Sequence, residues 1–173
     1  MLPFVIITGD MIDTAVKIAP QVQVKRTRTS LYDSVYGIIG EYCFAEWFFG
    51  NWLDHFQIDN KGKVDFLDRI EVKTSAFPFS SNLHLLVRED YAKKRKPDFY
   101  VQTIINLASA HQLELSPGME CILAGYSTAE EIDKAPLKDF GSKFGGRGGY
   151  RCRYIPIREL KPIEGLKNEI NLS

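Results

Sequence analysis

The sequence predicts a mixed α/β fold, a central mixed β-sheet flanked by helices. Three observations predict it. The chain has 173 residues, 45% of them hydrophobic and 25% charged, which suits one globular domain with a sizeable core. The first fifty residues place apolar side chains at helical spacing. Beyond Gly62 the period shifts to two, and short apolar runs alternate with turn residues. No repeat, low-complexity tract or linker divides the chain, so residues 1–173 are read as a single domain.

The elements follow in order. Leu2 to Thr8 reads as a short buried strand; without a basic flank or a small-residue cleavage site, it is not expected to be a signal peptide. A helix is expected from about Asp10 to Ala19, with Ile12, Val16 and Ala19 on one side and Pro20 ending it. VKRTRTS is a polar, basic loop. Ser30 or Asp33 caps a second helix that stops at Gly50. Its apolar and aromatic load (Tyr36, Ile39, Phe44, Trp47, Phe48) predicts burial. Val64–Leu67 and Arg69–Ser75 read as two strands joined by a tight turn at Asp68, and Leu83–Val87 as a third. A short helix is expected at 90–94, before Pro97. Phe99–Ile105 and Met119–Tyr126 are apolar enough for central strands. Ser127 caps a helical turn through Ile132. Residues 141–149 form a Gly/Arg/Lys loop, Tyr150–Ile155 a last strand and Ile157–Leu160 a closing turn.

Lysine plus arginine and aspartate plus glutamate are both 22, so the net charge is zero. That excludes a strongly basic nucleic-acid-binding domain, although phosphate contacts are local and depend on distribution. The three cysteines are scattered and odd in number, which points to reduced thiols in a cytoplasmic protein rather than a disulfide framework or a zinc site. No apolar run approaches the ~20 residues of a membrane helix.

The stretch Ile70-Glu71-Val72-Lys73-Thr74 carries the chemistry. Residues i and i+2 of a strand share a face, so Glu71 and Lys73 project together, away from Ile70, Val72 and Thr74. On spacing alone this is an ion pair on a half-exposed strand. Asp65 changes the weighing. If Leu67-Asp68-Arg69 is the loop, Asp65 opposes Glu71, with Cβ atoms about 4.5–5.5 Å apart. Two like charges at that separation repel, whereas a hard divalent cation makes the pairing favourable. Asp59 lies too far ahead for a tight hairpin, and Asp68 sits in the turn. Upstream, Glu41 lies amid Ile39, Phe44 and Phe48, just after Gly37 and Gly40, which permit close packing. A carboxylate there needs a partner to offset desolvation, and the same cation supplies one.

Gly40-Glu41, then Asp65, then Glu71-Val72-Lys73 resembles the PD-(D/E)XK nuclease superfamily, over roughly residues 35 to 105. Val64 stands where that motif has its proline. The resemblance implies a restriction-endonuclease-like fold with an αβββαβ core and a Mg²⁺-dependent endonuclease (Mn²⁺ substituting) that hydrolyses DNA phosphodiester bonds in restriction or repair. It implies that Asp65 and Glu71 hold the metal, with the Val72 carbonyl as a further ligand. Glu41 would bind through water or hold a second ion, and Lys73 would orient or deprotonate the attacking water. Gln102, a glutamine on a buried strand, is either an accessory residue that reaches the site, as a polar residue does in some relatives, or a side chain that bonds a neighbouring backbone. Arg26, Arg28, Arg88, Lys143, Arg147 and Arg151 are the candidate DNA contacts, whereas 93–96 suits a solvated surface equally. The expected assembly is a homodimer or a complex with a partner protein. The alternatives are a nuclease-fold subunit active only with such a partner, in transposition, recombination or junction resolution, a catalytically silent DNA- or protein-binding module, and a small α/β protein with a surface ion pair.

Overall fold

The computed structural model describes residues 1–22, 28–54, 64–89, 96–112, 114–140 and 150–172. Its middle is strand β4, Phe99–Asn106, whose first seven residues are all buried. A strand buried on both faces must lie inside a sheet. With β1 (Phe4–Ile6), β2 (Ile70–Phe77) and β5 (Glu120–Thr128) it forms a four-stranded sheet in the order β1-β5-β4-β2. β2 runs parallel to β4, and the other pairings are antiparallel. A second, three-stranded sheet is built from β3 (His84–Arg88), β6 (Leu137–Phe140) and β7 (Tyr150–Pro156), in the order β3-β7-β6.

The molecule is layered around the first sheet. Helices α1 (Gly9–Val22) and α2 (Arg28–Phe49) cover one face, burying Met11, Ala15, Ile39 and Cys43 against Ile105 and Cys121. The final helix, Gly165–Leu172, adds Leu166 to the cluster of Phe44, Ile70, Val72 and Val101. The opposite face packs on the second sheet, where Tyr100 meets Leu85 and Val87, and Ile104 meets Ile157. α3 (Ala129–Asp133) joins this layer through Ile132. The sheet is mixed and helix-flanked, as expected, but the strands after the Glu-x-Lys segment divide between two sheets.

Gly40 sets how closely α2 lies on β2 and β4. A Cβ at this position would fall 1.9 Å from Thr74 Oγ1 and 2.7 Å from Thr103 Oγ1. Those two hydroxyls are hydrogen-bonded at 3.0 Å, so neither yields freely. Gly40→Ala should destabilise the fold by about 1–3 kcal/mol, read as a lowered denaturation midpoint. Gly37 meets nothing within 4 Å, so only one of the two glycines serves close approach. Gly50 ends α2 in the left-handed conformation at φ +79°, and its N–H donates to the Glu46 carbonyl at 3.0 Å.

Several expectations are corrected. β1 is an edge strand, with Phe4 43% and Ile6 46% exposed, not a buried one. Thr8 caps α1, its hydroxyl accepting from the Met11 N–H at 3.2 Å. Pro20 lies inside that helix, because near its end the missing N–H forfeits a single bond. Val16 is exposed, and Met11, Ala15 and Ala19 form the buried side. Ser30 and Asp33 lie within α2 and do not cap it. Val64–Leu67 forms only one bridge, Phe66 to Ile70. Thr128, not Ser127, caps α3, in a capping box with Glu131. β6 and the final helix went unpredicted. Residues 23–27, the helix at 90–94 and the loop at 141–149 fall outside the described residues.

Cys43, Cys121 and Cys152 are free and buried. The Cys121 thiol, hydrogen-bonded to Cys43 across the α2–β5 seam, and burial push the Cys43 pKa up. Among the described residues no helix is long and apolar enough to cross a membrane.

Candidate active site: a carboxyl cluster at the β2 edge

The turn ahead of β2 positions the first acid. Phe66 and Ile70 exchange backbone hydrogen bonds of 3.0 and 2.9 Å, leaving Leu67, Asp68 and Arg69 as a three-residue loop. Leu67 and Asp68 both adopt φ 56°, a left-handed conformation that costs L-residues roughly 1–2 kcal/mol each. Contacts on both sides hold the turn in place. The Phe66 ring packs 5.3 Å from Phe44 and 5.8 Å from Phe49 of α2. Arg69 binds Asp98 at 2.7 Å, lies over the Phe99 ring, and donates to the Ile170 carbonyl at 3.3 Å. The Arg69 carbonyl accepts from the N–H groups of Asp98 and Phe99, at 2.8 and 2.9 Å.

This anchoring delivers Asp65 to the open edge of β2. Asp65 Oδ2 accepts the Val72 N–H at 2.8 Å, satisfying a donor that no neighbouring strand uses. The same carboxyl is hydrogen-bonded to Glu41, reaching down from α2, and to Glu71 on β2. Burial pushes the Asp65 pKa well above 3.8, and the nearby Glu41 pushes the same way; the bonds from Glu71 and Val72 oppose them. Glu71 is only 5% exposed. Carboxyl groups so bonded must share a proton, since ionised carboxylates are acceptors only. The structure thus brings Glu41, Asp65 and Glu71 together, through the loop expected from the sequence. Asp68 stays exposed in the turn.

Lys73 shares the Glu71 face of β2, two residues along, and is half-buried. The parallel register sets Glu71 beside Tyr100 and Lys73 beside Gln102. Gln102 is 1% exposed, and its amide donates to Ser75 Oγ at 3.1 Å and the Thr103 carbonyl at 2.8 Å. Those bonds fix it beside the lysine, at the point where a register shift interrupts the β4–β5 ladder. Tyr100 was missed from the sequence. Its pKa is pushed up to about 12 by burial, then by Glu71 and Asp133. Only the unforeseen parallel pairing could have disclosed it.

The three candidate DNA contacts among the described residues are spread over different elements. Arg26, Lys143 and Arg147 lie outside the described residues. Arg28 opens α2, whereas Arg88 and Arg151 lie in the second sheet. Their register partners, Cys152 for Arg88 and Asp139 for Arg151, put those two arginines on opposite faces. Beside Asp65 opens a cavity of about 280 Å³, lined by Phe49, Asp54, Val64, Phe66, Leu67 and Asp68.

Among the described residues no group of three His, Cys, Asp or Glu side chains forms a ready-made metal centre. The chemistry of the donor set nevertheless fits a hard cation. The three acids offer only oxygen ligands and share a proton that a cation can replace, and one of them, Asp65, borders the cavity. No family model matches the chain, and no similar curated protein or solved structure was found.

Proposed function

We propose that the protein is a Mg²⁺-dependent endonuclease acting on DNA phosphodiester bonds, with a restriction-endonuclease-like core made by α2, the 66–70 turn, β2 and β4. One observation carries the proposal: Asp65 is joined to both Glu41 and Glu71 where Lys73 shares the Glu71 face. Asp65 and Glu71 would hold the metal, and Glu41 would complete the site directly or through water. Once bound, Mg²⁺ supplies Lewis-acid polarisation of the phosphoryl oxygen and a more acidic water. The chain's own residues do the rest. The Lys73 ammonium stabilises charge gathering on the phosphate oxygens and orients the attacking water. Gln102 and Tyr100 wall the lysine and Glu71 on the β4 side. Two copies, or one copy with a partner protein, would supply a site for each strand.

Calorimetric titration with Mn²⁺ tests the metal assignment without requiring a substrate. The wild type should bind, and Glu71→Gln should weaken binding at least about tenfold. Equal binding by both would remove Glu71 from the site.

A further inference from the structure

The final helix, Gly165–Leu172, grips both elements that bring the three acids together. On α2, which carries Glu41, the Lys167 ammonium donates to the Trp47 carbonyl at 3.3 Å and lies 4.5 Å from the centre of the Trp47 ring. Leu166 is fully buried in the cluster that holds Phe44 and Phe66. At the 66–70 turn, which presents Asp65, the link is Arg69. Its Nε donates to Asp98 Oδ2 at 2.7 Å and its Nη1 to the Ile170 carbonyl at 3.3 Å, with the guanidinium over the Phe99 ring. Ile170 lies in the last turn of the helix, where carbonyls lack an intrahelical partner and the dipole favours a cation. The Tyr126 hydroxyl, bonded to Glu169, holds that turn of helix on β5.

An ion pair to the exposed Asp98 contributes little by itself. The turn gives Arg69 a larger task. Leu67 and Asp68, just before it, both stand at φ 56°, and both are exposed, so packing of their own side chains does not hold them there. An aliphatic residue such as Leu67 leaves the left-handed region unless its surroundings fix it. Phe66 fixes the turn from one side and Arg69 from the other. With the Arg69 end released, Asp65 would drift from the Val72 N–H, because it lies one residue ahead of the Phe66–Ile70 bridge. We infer that Arg69 is a positioning residue of the β2-edge site: it locks the turn to the final helix and so keeps Asp65 in the carboxyl cluster. The inference deepens the metal-site proposal, on which its bearing on activity rests. Metal affinity is then governed from the final helix, through a side chain that touches neither metal nor substrate. A guanidinium suits the task because its planar fork serves the carboxylate and the helix carbonyl at once.

The Val72 N–H is the reporter, because its bond to Asp65 Oδ2 is what protects it on the open edge. Its exchange in D₂O is followed by NMR in EDTA, with buried β4 amides as the control for global opening. Arg69→Ala should speed Val72 exchange by about tenfold beyond the β4 change, the equivalent of one hydrogen bond. The same variant should weaken Mn²⁺ binding, read by calorimetry, by about tenfold. Adding Leu67→Gly should restore most of both, since glycine takes φ 56° without strain, although the ion pair stays absent. That rescue separates positioning from a merely stabilising contact. Arg69→Lys keeps a charge for Asp98 but loses the fork, and it is the variant measured if Arg69→Ala does not fold. Three results overturn the inference and leave the nuclease proposal standing: unchanged Val72 exchange in a folded variant, a loss that Leu67→Gly leaves uncorrected, or unchanged affinity for Mn²⁺ that the wild type binds. Val72 exchange that rises and is rescued, in a protein whose wild type binds no Mn²⁺, sinks the metal assignment and upholds the positioning role.

Discussion

Supercoiled plasmid incubated with the protein and Mg²⁺ is expected to be nicked or linearised, and Lys73→Ala should slow this by about 100- to 1000-fold, the usual cost of removing one aimed electrostatic group from a transition state. EDTA should abolish the reaction. The lysine is a strong test because its fold-level role is small. It is half-buried on an edge strand, and the apolar contacts of β2 are made by Ile70 and Val72 on the other face. The alanine variant should therefore melt near the wild type while losing turnover. KM should move little, since the amine is assigned to charge that develops during the reaction. Robust cleavage by Lys73→Ala would reject the assignment. Absence of cleavage by the wild type on plasmid, branched and single-stranded DNA would reject an autonomous nuclease and favour a partner-dependent or silent protein.

The candidate site was legible in the sequence further than the fold around it. A period-two strand fixes that Glu71 and Lys73 share a face, and the three-residue loop fixes which residue opposes Glu71. Both are local rules that tertiary structure had little freedom to override. The Phe66–Ile70 bridge enforces them even though the strand before it does not continue. Glu41 was legible for another reason: an acid amid large apolar side chains needs a partner, whatever its geometry. What stayed hidden depends on distant pairing. Nothing local distinguishes Leu83–Val87 as a neighbour of β2 from a strand in another sheet, and it pairs with β7, from the far end of the chain. The parallel β2–β4 register, and with it Tyr100, was hidden in the same way. Pro20 and Val16 misled because a helix end tolerates a proline, and because α1 turns Met11 and Ala15 inward instead of Val16. The exposed Phe4 and Ile6 misled because an apolar run reads as buried whether or not an edge strand carries it.

Asp65→Asn should abolish cleavage and, in metal-free buffer, make the protein more stable. Both effects have one origin. The Asp65 carboxyl is part-buried and bonded to two other acids, so folding raises its pKa well above 3.8. Between the unfolded and folded pKa values the native state binds more protons than the unfolded chain. Stability therefore falls as pH rises through that window, and the cost is fully present above the folded pKa. Asparagine removes the titrating group, keeps an oxygen for the Val72 N–H, and adds N–H donors for Glu41 and Glu71. Thermal melts in EDTA should show the variant matching the wild type near pH 4 and exceeding it at pH 8, by on the order of 1 kcal/mol. Millimolar Mg²⁺ should reverse the ranking, because the cation stabilises only the chain that binds it well. A variant less stable than the wild type at pH 8 without metal would mean that the three carboxyls are no electrostatic burden. The case for a cation at the β2 edge would then lose its physical basis.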